Sequence, residues 1–165
     1  MRLPLVAVLF VALAVPTPAD ECTLYNARYT QPDAPWWLTF TRVPEFAAPN
    51  QSAAFYIELP NSGVTLQGRV TVPNGFGSPL WSIDAPCNAE QGAETCSFLD
   101  DTANPGIYGI YKGKVQFLSV ERGSPAPEQV ILPQLAVSLW YSSYRQDEWD
   151  GEVSPGDAFE LVGCQ

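Results

Sequence analysis

Sixteen prolines are spread along the 165 residues of this chain, and they limit its possible folds more than any other feature. Proline has no backbone N–H to donate inside a helix, and its ring clashes with the preceding turn. Between the prolines, no apolar stripe at helical spacing runs for more than about two turns. The chain therefore predicts β-structure with little or no helix.

The clearest strand signal lies between Val64 and Val72, where apolar and polar residues alternate. Such alternation is typical of a strand with one face in the core and the other in water. Turn-forming residues flank this run at 60–63 and 73–79, and a further strand is predicted beyond each turn. Connections this short join antiparallel neighbours, so the three strands are expected to form a meander.

Similar runs recur at intervals of roughly 8–15 residues, a spacing typical of sandwiches and barrels. Lys112-Gly113 predicts a two-residue hairpin turn between two of the runs, or else a glycine kink in one long strand. We therefore expect an all-β fold, a single antiparallel β-sandwich of about eight strands, with a small closed β-barrel as the alternative. The predicted strands span 23–29, 36–43, 53–59, 64–72, 80–84, 107–111, 114–120, 135–142 and 158–162.

The first 19 residues have the pattern of a secretory signal peptide. Arg2 precedes an apolar run at 3–15, and Thr17-Pro18-Ala19 supplies small residues at the expected cleavage site. The run is shorter than the roughly 20 residues that a membrane-spanning helix needs. We expect cleavage after Ala19, with Ala14 as the second choice, and no membrane insertion afterwards. Residues 20–165 would then form one β domain in the periplasm or outside the cell.

Four cysteines follow the predicted signal peptide, and an exported chain keeps its cysteines in disulfides. Cys22 and Cys164 stand at the two ends of the predicted domain, and chain termini often lie close together. Cys87 and Cys96 flank a short polar loop. We therefore predict the pairs Cys22–Cys164 and Cys87–Cys96 among the three possible connectivities. A zinc site is the competing interpretation, but the chain has neither a Cys-x-x-Cys pair nor a histidine.

Charge and the missing histidine exclude several classes of function. Loss of Arg2 with the signal peptide leaves seven basic side chains against 18 acidic ones, a net charge of −11. Such a surface repels phosphate backbones and anionic lipids, so we expect neither nucleic-acid binding nor membrane adsorption. Without histidine, no Ser-His-Asp or Cys-His catalytic arrangement and no histidine-ligated metal site can form.

An acidic segment near the C-terminus carries five carboxylates between Asp147 and Asp157. Oxygen ligands on a flexible loop suit calcium, although the spacing departs from the EF-hand pattern. The alternative is a solvated acidic connection between strands. We expect no cofactor other than this possible calcium ion, whose candidate ligands are Asp147, Asp150, Glu152 and Asp157.

Four tryptophans are candidates for a binding surface: Trp36, Trp37, Trp140 and Trp149. Neighbouring strand residues face opposite ways, so Trp36 and Trp37 cannot both be core if that run is extended. In the predicted strand at 135–142, Trp140 lies on the face opposite to Leu135, Val137, Leu139 and Tyr141. Exposed aromatic rings on a sheet stack on sugars or anchor a protein partner. The alternative is that these rings are core or lie beneath a loop.

The sequence thus favours an exported, non-enzymatic binding module for a protein or glycan partner, with no assigned catalytic residue. The alternative is a small secreted hydrolase that cleaves glycans with two carboxylates. A third reading is a closed barrel with a small apolar ligand inside.

Overall fold

A computed structural model describes residues 22–44, 46, 50–73, 77–85, 96–97, 104–141 and 152–165. Over these residues the chain is mostly antiparallel β-structure with one short helix. The elements are β1 (Ala27–Thr30), β2 (Trp37–Arg42), β3 (Gln51–Leu59), β4 (Val64–Thr71), β5 (Leu80–Ala85), β6 (Cys96–Ser97), β7 (Tyr108–Tyr111), β8 (Lys114–Phe117), β9 (Gln129–Ile131), α1 (Leu135–Tyr141) and β10 (Ala158–Cys164).

The described strands form one sheet in the order β6-β5-β4-β3-β2-β1-β10-β9-β7-β8, with every neighbouring pair antiparallel. The first six strands follow one another as a meander. It includes the three-strand meander predicted around Val64–Val72, which forms β3, β4 and β5. β10 then pairs with the free side of β1 and connects the meander to β9, β7 and β8. The first and last described strands therefore pair in the middle of the sheet.

The sheet curls, because a strand near one end contacts a segment near the other. Leu80 in β5 forms an antiparallel bridge with Gly106, just before β7. The N–H of Trp81 donates to the carbonyl of Pro105 at 3.0 Å, and the N–H of Ile107 donates to that of Pro79 at 3.0 Å. The result is a half-barrel whose concave face is turned inward.

The concave face holds the core, and alternation along the strands supplies it. β3 shows the pattern most clearly, with Phe55, Ile57 and Leu59 buried between more accessible neighbours. β4 buries Leu66 and Val70 as predicted, while Gln67 and Arg69 are exposed on the other face. The largest fully buried side chains are Trp36, Trp81, Tyr29, Phe55, Phe159, Leu24, Leu38, Ile57, Leu59, Leu66, Ile83 and Ile107.

The predicted disulfide between Cys22 and Cys164 is confirmed, with the two Cα atoms 5.6 Å apart. It joins the segment before β1 to the end of β10, where Cys164 pairs with Ala27. Cys87 and the side chain of Cys96 lie outside the described part of the chain. The pair Cys87–Cys96 stays a prediction, although the first disulfide leaves these two as the chain's remaining cysteines.

The predicted strand at 135–142 is wrong, since residues Leu135–Tyr141 form helix α1. Leu135 and Leu139 lie one helical turn apart and are both buried, whereas Val137 and Trp140 are exposed. The sequence had placed Val137 with the leucines because a strand alternates every two residues. A helix instead groups residues four apart.

The predicted hairpin turn can be compared with the structure, whereas the predicted signal peptide cannot. The Lys112-Gly113 turn is confirmed, with φ values of 52° and 72° that match a hairpin turn with both central residues left-handed. The signal peptide lies outside the described residues and stays a prediction. Among the residues that are described, no helix is both long and apolar enough to cross a membrane.

Candidate functional site

The β7–β8 hairpin presents four apolar side chains on the convex face of the sheet. Tyr108 pairs with Phe117, and Ile110 pairs with Val115, so all four point the same way. The rings of Tyr108 and Phe117 stack with centroids 5.0 Å apart and an interplanar angle of 23°. We call Tyr108, Ile110, Val115 and Phe117 the hairpin surface.

The hairpin surface is open to solvent. All four residues of β8 are exposed, with Val115 at 61% and Phe117 at 48% of their full accessibility. Tyr108 and Ile110 are half-buried beside them. Clustered apolar side chains on a protein surface mark a site of interaction more often than isolated ones do.

The backbone of β8 also has a free side, since β8 is the last strand in the order of the described sheet. The N–H of Leu118 donates to the carbonyl of Ile107 at 3.1 Å. Bonded and non-bonded pairs alternate in an antiparallel ladder, so the N–H and C=O groups of Val115 and Phe117 point away from β7. No strand of the described residues pairs with them. Unpaired backbone groups on an edge strand are a template on which another strand can pair.

Packing beneath the hairpin holds it in place. Tyr111 points inward, and its hydroxyl accepts a hydrogen bond from the N–H of Ser119 at 3.1 Å. Burial raises the pKa of Tyr111, and this hydrogen bond opposes the rise. A Cβ atom on Gly109 would lie 2.6 Å from the Tyr111 ring and 2.9 Å from Pro127, so only glycine lets these groups come this close. These contacts therefore fix the position of the β7–β8 hairpin and of its edge strand β8.

The hairpin also differs in charge from the rest of the chain. Both lysines of the sequence, Lys112 and Lys114, stand at its tip and are exposed, in a chain whose net charge is −10. On the tip itself, Glu128 accepts a hydrogen bond from the N–H of Gly113 at 3.3 Å. The two ammonium groups outnumber this one carboxylate, so these three side chains together give the tip a net positive charge on an acidic protein.

The three described candidate tryptophans differ in exposure. Trp36 is buried, and its indole N–H donates to Glu152 at 2.9 Å. Trp37 is half-buried on the convex face, where the Arg28 guanidinium lies 3.9 Å from the ring centroid. Trp140 is 54% exposed on α1. Trp149 lies outside the described residues, so its place in a binding surface stays a prediction.

The described calcium candidates have structural hydrogen bonds. Glu152 accepts from the N–H of Ser62 at 2.6 Å as well as from Trp36. Asp157 accepts from the N–H groups of Gln134 and Leu135, at 2.9 and 3.1 Å.

The other two candidates, Asp147 and Asp150, lie outside the described residues. In the part of the chain that is described, no three metal-ligating side chains come together. A calcium site stays a prediction.

The convex face of β1 to β5 carries two open grooves with polar linings. The larger, of about 450 Å³, includes Arg28 and Glu58, and the smaller, of about 200 Å³, includes Arg69 and Asp84. Burial raises the pKa of Asp84, and the Arg69 guanidinium, 2.9 Å from the carboxylate, opposes the rise. Each groove has one carboxylate among its described lining residues, whereas glycoside hydrolysis needs a facing pair.

Comparisons with known proteins find no match: no protein-family model, no curated protein and no solved structure is similar to the chain. The geometry of the molecule is therefore the basis for a functional proposal.

Sequence reasoning predicted both strands of the hairpin and its turn, yet it did not single out β8 as a site. The available signal was the alternation of Lys114, Val115, Gln116 and Phe117 beside the chain's only lysines. Whether such a strand lies at the edge or in the middle of a sheet depends on partners distant in sequence.

Proposed function

We propose that this protein is an exported binding module that takes up an extended segment of a partner protein as an added strand along β8. The outward backbone groups of Val115 and Phe117, with which no described strand pairs, carry the proposal. They offer two donors and two acceptors to an incoming chain, and each hydrogen bond formed contributes a net of about 0.5–1.5 kcal/mol. The hairpin surface supplies apolar contacts beside them.

Export is proposed from the predicted signal peptide together with the Cys22–Cys164 disulfide. Disulfides persist in oxidising compartments, such as the periplasm and the exterior of the cell. The acidic surface fits a freely diffusing protein that avoids nucleic acids and anionic lipids.

A barrel suits the architecture better than a sandwich of two sheets. The described strands belong to one continuous sheet, and the isolated Leu80–Gly106 bridge brings β5 against the segment entering β7, which supports a barrel. A sheet that closes in this way would leave few edges open. In such a barrel, β8 would be an exposed edge strand beside the curled part of the sheet.

Selection of binding peptides from a random library tests the proposal, with the wild type compared with Val115→Pro. Proline removes the outward N–H of residue 115 while the N–H groups bonded to β7 stay in place. We expect the selected peptides to lose binding to Val115→Pro and to perturb the backbone amide NMR signals of β8. The Val115→Thr variant is the matched control, because it keeps the N–H and β-propensity and changes only the side chain.

Two results would overturn the proposal. One is equal binding of the selected peptides to the wild type and to Val115→Pro, provided near-ultraviolet circular dichroism shows both to be folded. The other is NMR perturbation confined to residues distant from β8.

A further inference from the structure

We infer that the segment paired with β8 is acidic, with glutamate or aspartate alternating with apolar residues. The inference rests on the proposed strand addition and names the chemistry of its partner. It follows from which side chains of β8 point to each face and from the charges at the tip of the hairpin.

The two faces of β8 differ in chemistry. Val115 and Phe117 belong to the hairpin surface, while Lys114 and Gln116 point to the opposite face. On an added antiparallel strand, the residue opposite each of these has its Cβ about 4.5–5.5 Å away. Apolar residues of the partner would therefore contact Val115 and Phe117, and the residues between them would face Lys114 and Gln116.

The charge at this edge selects a carboxylate for those intervening positions. Lys112 and Lys114 are both exposed, and Lys114 stands within β8 itself. Lysine on an edge strand discourages pairing with apolar or basic segments, because its ammonium group stays uncompensated. An acidic residue opposite Lys114 would instead be attracted to its ammonium group, because opposite charges on paired strands stabilise the pair.

A second copy of the chain fits this edge less well than an acidic segment. A two-fold pairing that uses all four outward groups places Val115 opposite Phe117 of the other copy and hence Lys114 opposite Leu118. Leu118 is buried in its own core and carries no charge. Two molecules with a net charge of −10 also repel each other at long range.

Fluorescence anisotropy with three labelled peptides tests the inference. The peptides share one short extended sequence in which valine alternates with glutamate, with glutamine or with lysine. We expect the glutamate peptide to bind about three- to tenfold more tightly than the glutamine peptide at about 10 mM salt, and the lysine peptide to bind most weakly. The difference between the peptides should shrink at about 150 mM salt.

Charge variants locate the effect. Lys112→Gln combined with Lys114→Gln should remove the preference for glutamate without abolishing binding of the glutamine peptide. Arg28→Gln combined with Arg42→Gln is the matched control, because it removes the same charge from β1 and β2 and should leave the preference unchanged.

The outcomes separate the two proposals. If no peptide binds, strand addition itself is overturned. If all three bind equally and Val115→Pro abolishes their binding, strand addition stands and the acidic partner is overturned. Preference for glutamate that survives the double lysine variant overturns the inference as well. So does a protein dimer at micromolar concentration that Val115→Pro dissociates, because a second copy would then occupy the edge.

Discussion

At Gly68, the packing of one aromatic ring depends on a missing side chain. Gly68 on β4 pairs with Phe55 on β3, and a Cβ atom added at Gly68 would overlap the Phe55 ring. Phe55 is fully buried in the core, so moving its ring would disturb the side chains packed around it. Glycine in the middle of a strand is usually unfavourable because it leaves the backbone exposed. Here the Phe55 ring covers the backbone of Gly68.

We predict that Gly68→Ala lowers the free energy of unfolding by about 1–3 kcal/mol, the usual range for overpacking a core. Urea denaturation measures it. Gly163→Ala is the matched control, since Gly163 also lies in a strand and its added Cβ would have no heavy atom within 4 Å. Equal stability of the two variants would contradict the packing argument.

At the level of elements, the sequence predicts strands well where alternation is long and the partner is close. The meander from β3 to β5 and the β7–β8 hairpin meet both conditions. β9 was missed because Gln129–Ile131 is too short for a pattern. The segment 135–142 was misread because its run of apolar residues fits either period, and long-range contacts decide between them.

The decisive long-range contact for α1 comes from Asp157. Its carboxylate oxygens accept hydrogen bonds from the N–H groups of Gln134 and Leu135, which have no partner inside the helix. Asp157 lies just before β10, 22 residues beyond Leu135. The residues next to α1 in the sequence therefore do not indicate that Asp157 caps this helix.

We predict that Asp157→Ala lowers the free energy of unfolding by about 0.5–2 kcal/mol. Asp157→Asn should lose less, because its amide oxygen still accepts one of the two hydrogen bonds. Chemical denaturation of both variants, without added calcium, makes the comparison. If both variants match the wild type, Asp157 is not a cap, and its carboxylate is available for the predicted calcium site.

For the whole molecule, the pairing of the first and last described strands determines how the two parts of the sheet join. β10 pairs with β1, so the last strand connects the early meander to β7, β8 and β9. The sequence predicts the disulfide between these ends but not the strands on either side of it. The edge position of β8 also depends on residues distant in sequence. β9 pairs with β7 and not with β8, so β8 has a partner on one side only among the described strands.

Removing the Cys22–Cys164 disulfide should therefore destabilise the whole sheet. It closes a loop with a sequence separation of 142, and loop entropy of this size corresponds to about 5 kcal/mol, with measured losses of about 2–5 kcal/mol. Guanidinium denaturation of Cys22→Ser combined with Cys164→Ser measures the loss. Cys87→Ser with Cys96→Ser, which would remove the predicted short-loop disulfide, is the control and should lose less. An unchanged midpoint for the first pair would contradict the prediction.

Buried tyrosines predict how stability depends on alkaline pH. Burial raises the pKa of Tyr25, Tyr29 and Tyr111 above the usual value of about 10, and the nearby phenol of Tyr111 adds to the rise at Tyr29. The native state therefore holds these protons more tightly than the unfolded state does. Their contribution to stability is complete below about pH 10 and is lost as the pH rises toward the folded-state pKa values.

Tyr29→Phe isolates the largest of these contributions. The Tyr29 hydroxyl is buried without a hydrogen-bond partner among the described residues, so its removal should leave stability at neutral pH unchanged or slightly higher. Above about pH 10, the variant should lose stability less steeply than the wild type. Tyr111→Phe is the contrasting control: it leaves the Ser119 N–H unpaired and should lose about 1 kcal/mol even at neutral pH. Guanidinium midpoints from about pH 7 to about pH 11 measure both effects, and parallel curves for wild type and Tyr29→Phe would show that this phenol does not control alkaline unfolding.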